Sequence, residues 1–232
     1  MGHAIKPSVS LGTLFIFAFS VSVTAQQSMH LGLSSGLVIS ELTNLDFLHP
    51  GPAKRTGHKA LQVAAIAELD LNSVWSIQLA PRYMRNGADF SYEGSTGACP
   101  ICSDDGGVTE EFNYLEVPVF VKLRLLAQEF TPFVYAGTSV AFLLSAKEAR
   151  YSYTWSWDNY ERNVIDNYSQ SDIRVTLGAG IELKTSTPIS VFFDAAYSQG
   201  YKNILNEDLS GSGNEVQTDN YQLSLGALYR IW

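Results

Sequence analysis

The sequence predicts an all-β protein: an eight-stranded antiparallel up-and-down transmembrane β-barrel with short periplasmic turns and long outer loops. Three observations predict it. Apolar and polar residues alternate with period two through most of the chain, as in strands with one face on an apolar medium. Short and long connections alternate between those segments. The composition is 46% hydrophobic but only 16% charged over 232 residues, against about 25% charged in ordinary soluble proteins. That composition excludes a disordered chain. The absence of several apolar runs of about 20 residues excludes a polytopic helical membrane protein. With 15 Lys+Arg against 23 Asp+Glu and a net charge of -8, the chain has no basic footprint, so no nucleic-acid partner is expected.

Residues 1–25 are read as a secretory signal peptide. Lys6 precedes the apolar run Leu11–Val23, and Val23-Thr24-Ala25 is a small-residue cleavage site before Gln26. The barrel domain is then 26–232, in an oxidising compartment. In chain order, Leu31, Leu33, Leu37 and Ile39 alternate with Gly32, Ser34, Gly36 and Ser40. Leu61, Val63, Ala65, Ala67 and Leu69 alternate with Gln62, Ala64, Ile66, Glu68 and Asp70; Trp75, Ile77 and Leu79 follow against Ser76, Gln78 and Arg82. Leu115 to Leu125 places Val117, Val119, Val121 and Leu123 opposite Glu116, Pro118, Lys122 and Arg124. The last four segments are led by Val134, Ile173, Ile189 and Tyr221. Eight strands let an antiparallel sheet close on itself. The short connections are Asp70–Ser73, Ala127–Thr131 and Lys184–Pro188. The long ones are Thr43–His58, Gly87–Glu111, Lys147–Gln170 and Gly200–Asp219. Both termini then share the end with the short turns.

The same alternation suits a soluble lipocalin-like barrel with an apolar interior. Three features favour the inverse. The polar face is rich in small residues (Gly32, Ser34, Gly36, Gly137, Ser139, Gly178, Gly180, Gly226), as a narrow lumen requires. Its charges nearly balance, with Arg82, Lys122, Arg124, Arg174 and Arg230 against Glu68, Glu116, Glu182 and Asp194, as a closed interior requires. Trp75 and Tyr83, and Tyr221 and Tyr229, are spaced on one face to reach both aromatic girdles of an apolar band about 25 Å tall.

Motifs that suggest chemistry read more simply as structure. Gly32-Leu33-Ser34-Ser35-Gly36 matches a nucleophile pattern but sits in an alternating strand with no following helix. Cys99-Pro100-Ile101-Cys102 lacks a thioredoxin-like context and a second ligand pair, and is read as a local disulfide in the second outer loop. His30, His49 and His58 have no metal spacing; His58 and Asp89 fall near the outer rim, without a serine to complete a catalytic set. Asn206, Glu207, Asp208 and Asp219 make an acidic loop of the kind that is commonly just solvated. The third outer loop carries Tyr151, Tyr153, Trp155, Trp157 and Tyr160. The first four alternate, as on a strand continued past the membrane, and form the candidate partner-binding surface.

Several stretches resemble the PorT-like family of outer-membrane β-barrel proteins of Gram-negative bacteria. They are Leu69–Pro81, Asn113-Tyr114-Leu115-Glu116-Val117-Pro118, Phe133–Ala146, Gly178-Ala179-Gly180-Ile181-Glu182, and Tyr197 with Gly200, Asn203 and Ile204. The resemblance implies an eight-stranded outer-membrane barrel with no cofactor and no catalytic residues to carry over. The end Ser224-x-Gly226-x-x-Tyr229-x-Ile231 is similar to the signal read by the barrel-assembly machinery, with Trp232 one place beyond the usual aromatic. The expectation is a non-enzymatic barrel in outer-membrane lipid. Its lumen holds side chains and its outer loops meet an envelope or extracellular protein. A ligand-binding soluble barrel, a rim enzyme and a narrow channel are the competing readings.

Overall fold

The computed structural model describes residues 28–43, 53–92, 106–125, 129–152, 160–205 and 216–231. The segment 1–25 read as a signal peptide, His49, Cys99, Cys102, Tyr153, Trp155, Trp157, Asn206–Asp208 and Trp232 lie outside these residues. The described chain folds into strands β1 (Met29–Leu42), β2 (Ala53–Asp70), β3 (Trp75–Leu79), β4 (Arg82–Tyr92), β5 (Gly106–Arg124), β6 (Phe130–Ser152), β7 (Tyr160–Asn163), β8 (Ser171–Lys184), β9 (Ile189–Gly200) and β10 (Thr218–Arg230). A single 3-10 turn, Ile165–Asn167, follows β7. All pairings are antiparallel, and the ladder from β2 through β10 returns to β1, which pairs with both.

The described chain therefore has ten strands where the sequence pattern predicts eight, in a ring of eight staves. Two local causes account for the difference. Pro81 interrupts one stave between β3 and β4, yet the register with β5 is unbroken, from Leu79 opposite Val119 to Arg82 opposite Glu116. A proline accepts in a ladder but cannot donate. Accordingly Pro118 accepts from Ala80 at 3.2 Å and Pro81 from Ala65 at 3.0 Å. The second cause is β7, a short strand that pairs only with the far end of β6.

The long connections are also shorter than predicted. β2, β4, β5 and β6 run on beyond the segments of clean alternation, from Ala53 opposite Tyr92 to Gly106 opposite Ser152. In the extensions of β4 and β5 the alternation inverts. Met84, Ala88, Phe90, Val108 and Phe112 are buried inward, while Arg85, Asp89, Thr109 and Glu111 face out, so a lipid-facing apolar parity gives no signal there. Two bulges mark this boundary, one in β2 against β4 between Gly57 and Gln62, the other in β6 against Tyr114. A bulge shifts side-chain parity, so Ala146 and Glu148 are buried beyond it where Ala141 and Leu143 are buried before it.

The outward face is apolar. Leu33, Leu61 and Leu177 are 71%, 67% and 64% exposed, and Trp75, Tyr83, Tyr221 and Tyr229 stand among them. The inward face carries Glu116, Arg174, Glu68, Glu182 and Lys122, all buried. This is the inverse of a soluble barrel, and it fits a wall in contact with lipid.

Candidate functional site

The inward side chains form three successive layers between the short-turn end and the loop end. Nearest the turns, Lys122 lies 3.1 Å from both Glu68 and Glu182. Arg124 pairs with Glu68 and, at 2.7 Å, with Asp70. Ser76 donates to Glu68 at 2.9 Å, and Ser28 to Asp70 at 2.6 Å. His30 Nε2 is 3.1 Å from the same Asp70 oxygen. The carboxylates and cations of this layer sit on β2, β5 and β8, because each strand places a charged residue at its inward parity near the same height.

An aromatic layer follows. Ile66, Phe120, Phe133, Phe192 and Leu228 pack together with Tyr135 against them. Its glycines explain why the inward face must be small. Gly178 stands opposite Tyr135, Gly226 opposite Phe192 and Gly137 opposite Phe120. A Cβ on Gly178 would lie 2.3 Å from the Tyr135 ring, and one on Gly226 2.4 Å from the Phe192 ring. Each ring thus lies across the glycine of its neighbouring strand, an arrangement also used to shield strand glycines in design. The Tyr135 hydroxyl donates to Asp194 at 2.9 Å. A void of about 40 Å³ lies between this layer and the next, lined in part by Ser34, Gln62 and Asp194. It has room for ordered water.

The second charged layer centres on Glu116. It accepts from Arg82 at 2.7 Å, Ser139 at 2.5 Å and Arg174 at 3.4 Å. Arg174 donates to Asp172 at 2.9 Å and lies 4.7 Å over the Tyr114 ring. Asp172 also accepts from Thr218 at 3.1 Å, and Arg82 reaches Gln222 at 2.7 Å. With its amide assigned so that the oxygen faces the guanidinium, Asn86 accepts from both Arg174 Nη atoms at 3.0 Å. A buried charge without a partner is costly, and each cation of this layer meets a carboxylate.

At the loop end the inward face becomes apolar. Val38, Leu42, Met84, Phe112 and Tyr114 point inward from the strands. Val164, Tyr168, Ile204, Leu205 and Val216 come down onto them from the connections after β7 and β9. The cap is pinned by a Tyr168–Leu205 bridge, by Ser169 donating to Ile204 at 2.7 Å and by Tyr168 edge-on to Phe112 at 4.6 Å. The Tyr168 hydroxyl donates to Glu110 at 3.1 Å. Burial, and then the Glu110 carboxylate, push this phenol well above the usual tyrosine range, so it remains a donor. Tyr168→Phe removes a hydrogen bond to a charged acceptor, worth about 1.5–3 kcal/mol. The expected result is faster proteolysis near residues 164–168 with the barrel intact, read by mass mapping of the fragments.

Of the residues singled out from sequence, Glu68, Lys122, Arg124 and Glu182 meet in one layer, and Arg82, Glu116 and Arg174 in another. Asp194 is directed inward, but its partner is the Tyr135 phenol rather than a cation. Arg230 is a correction. It is exposed at the turn end, because the inward parity of β10 is already at the strand terminus there, and it lines a 210 Å³ opening with Arg124 and Lys184. Asp172 and Asp70 also belong to the networks, and their inward parity is the sequence signal for it. Tyr151 and Tyr160 do not share a face. Tyr160 stands opposite Arg150, so the neighbouring Tyr151 points the other way and rests on Gly107. Tyr160 is 42% exposed and its hydroxyl donates to Glu148 at 3.2 Å. The structure also brings His58 to 3.2 Å from Asp89, which accepts from Thr109 at 2.9 Å.

An apolar-walled, charge-cored antiparallel barrel is the architecture of outer-membrane β-barrel proteins. The chain belongs to that family: residues 24–206 match the outer membrane protein beta-barrel domain, which places the protein in the outer membrane of Gram-negative bacteria. Among solved structures it is similar to the outer membrane protein OprG of Pseudomonas aeruginosa, at 11% identity and a TM-score of 0.50, covering 89% of this chain and 96% of that one. It is also similar to the neisserial surface protein NspA, at 12% identity and a TM-score of 0.48 over 88% and 98%. A third likeness is to the attachment invasion locus protein Ail of Yersinia pestis, at 16% and 0.42 over 87% and 98%. At these identities the likeness to OprG concerns the fold alone. A search of curated proteins finds no match.

Proposed function

We propose that this protein is a non-catalytic barrel whose lumen is occupied by its own side chains, and that it works as a structural or adhesive element through the parts raised above its rim. One observation carries the reading: an apolar cap from two connections is seated on a core of paired charges. A solute path would need water where Phe112, Tyr168 and Ile204 pack. The sequence likeness to PorT-like barrels, whose motifs are structural, accords with this. The loop end faces outward, and β2, β4, β5 and β6 rise furthest there, with β7 laid against the extension of β6. Lys147–Glu161 at 2.5 Å and Arg162–Glu148 at 2.7 Å hold β7 to β6. An envelope or extracellular protein is the partner that such a polar, aromatic-tipped edge fits.

A photo-crosslinking residue at Tyr160 in intact cells is expected to give a discrete protein adduct. Adducts with lipid alone, or none, would contradict the role. A rim hydrolase is the second reading, favoured by the His58–Asp89 pair. Among the described residues, however, the Thr109 hydroxyl bonds the acid rather than the imidazole, and no nucleophile meets His58.

A further inference from the structure

The outward wall is not uniform. Across β1, β10, β9, β8 and β6 one row reads Leu37, Leu223, Ala195, Ala179, Val134 by direct pairing. Two alanines lie side by side between bulkier neighbours. The rows on either side carry Tyr197 with Leu177 and Phe193 with Ile181. The result is a trough bounded by large side chains, a hollow of about 810 Å³ that continues to Lys59 on β2. It crosses six staves, about 24 Å at 4.8 Å per strand spacing. Strand tilt lays it obliquely to the ~15 Å depth of one leaflet, so it takes one extended acyl chain.

Its loop-ward end is chemically marked. Lys59 is exposed, stands opposite Ile39, and has no ion-pair partner among the described residues. One step nearer the loops, Glu41 and Asp219 face each other directly. Asp219 accepts from the Tyr197 hydroxyl at 2.9 Å. A lysine at the mouth of the trough attracts a phosphate, and two opposed carboxylates beside it repel a second one.

We infer that this trough is a binding site for one anionic glycerophospholipid, with an acyl chain over Ala179 and Ala195 and its single phosphate at Lys59. Two classes of substitution separate the parts. Lys59→Gln removes the charge, and Ala195→Phe fills the trough. Both positions face outward, so the inward layers are untouched. A mobility shift on boiling confirms that each variant has folded, with Ala179→Leu as the alternative filling variant.

The experiment is native mass spectrometry of the protein purified from membranes in detergent and offered three lipids. These are phosphatidylglycerol, phosphatidylcholine with identical chains, and a bis-phosphorylated hexa-acyl lipid. The wild type is expected to retain phosphatidylglycerol about fivefold over phosphatidylcholine, the preference one surface lysine gives. Lys59→Gln should equalise the two, and the filling variant should lose both. Equal retention by the wild type, or unchanged retention by the filling variant, overturns the site. Stronger retention of the bis-phosphorylated lipid overturns the assignment to a single-phosphate lipid.

Discussion

Glu116→Ala is expected to destabilise the barrel by about 3–5 kcal/mol, the cost of breaking a buried ion pair by removing one partner. Glu116 is fully buried and accepts from Arg82, Arg174 and Ser139. Its loss leaves Arg82 with only an amide partner, Gln222, and leaves Arg174 on Asp172 alone among the carboxylates. Glu116→Gln retains an acceptor and should lie between alanine and wild type. Glu161→Ala, which breaks the exposed pair with Lys147, should leave the transition where it was, since exposed pairs contribute little. The urea midpoint of the detergent-folded protein, followed by tryptophan fluorescence, ranks the three. An unchanged midpoint for Glu116→Ala would mean that the layer contributes nothing to holding the staves together.

Gly178→Val is the second large effect. The first atom of the new side chain would lie 2.3 Å from the Tyr135 ring, far inside van der Waals contact. Overpacking of this kind costs about 1–3 kcal/mol. Displacing Tyr135 also strips Asp194 of its hydrogen bond, a further ~1–3 kcal/mol for a buried acceptor. The outward Ala136, paired with Leu177 one residue along the same strand, provides the control. Ala136→Val adds the same bulk to the lipid side and should leave the midpoint unchanged. If both variants behave alike, the rings do not depend on the glycines beneath them.

How far the fold was legible depends on where lipid defines the pattern. In β1 the run from Leu31 to Ile39 assigns Gly32, Ser34 and Gly36 inward, and in β5 the run from Leu115 to Leu123 assigns Glu116 and Lys122 inward. Period two was sufficient there because one face meets hydrocarbon and the other meets the lumen. It failed at the loop end for two reasons. Above the membrane the outward face of β4 and β5 turns polar, with Arg85, Asp89, Thr109 and Glu111, so the apolar set no longer lies on the lipid-facing parity. Inside the rim the inward face turns apolar: Val38, Leu42 and Phe112 are inward, and they read as a break in the pattern. Those inward apolar residues were the trace of the cap. Its other half, Val164, Tyr168, Ile204 and Leu205, comes from connections whose approach to the lumen depends on tertiary contacts alone. The His58–Asp89 pair was legible as two rim residues; their contact depends on Gly87, where a Cβ would meet the His58 ring at 3.1 Å.

Conductance across a planar bilayer reports on whether the lumen is occupied by paired charges beneath an apolar cap. A silent membrane is expected after insertion of protein that shows the boiling-dependent mobility shift. A steady, reproducible conductance from the same preparation would contradict it.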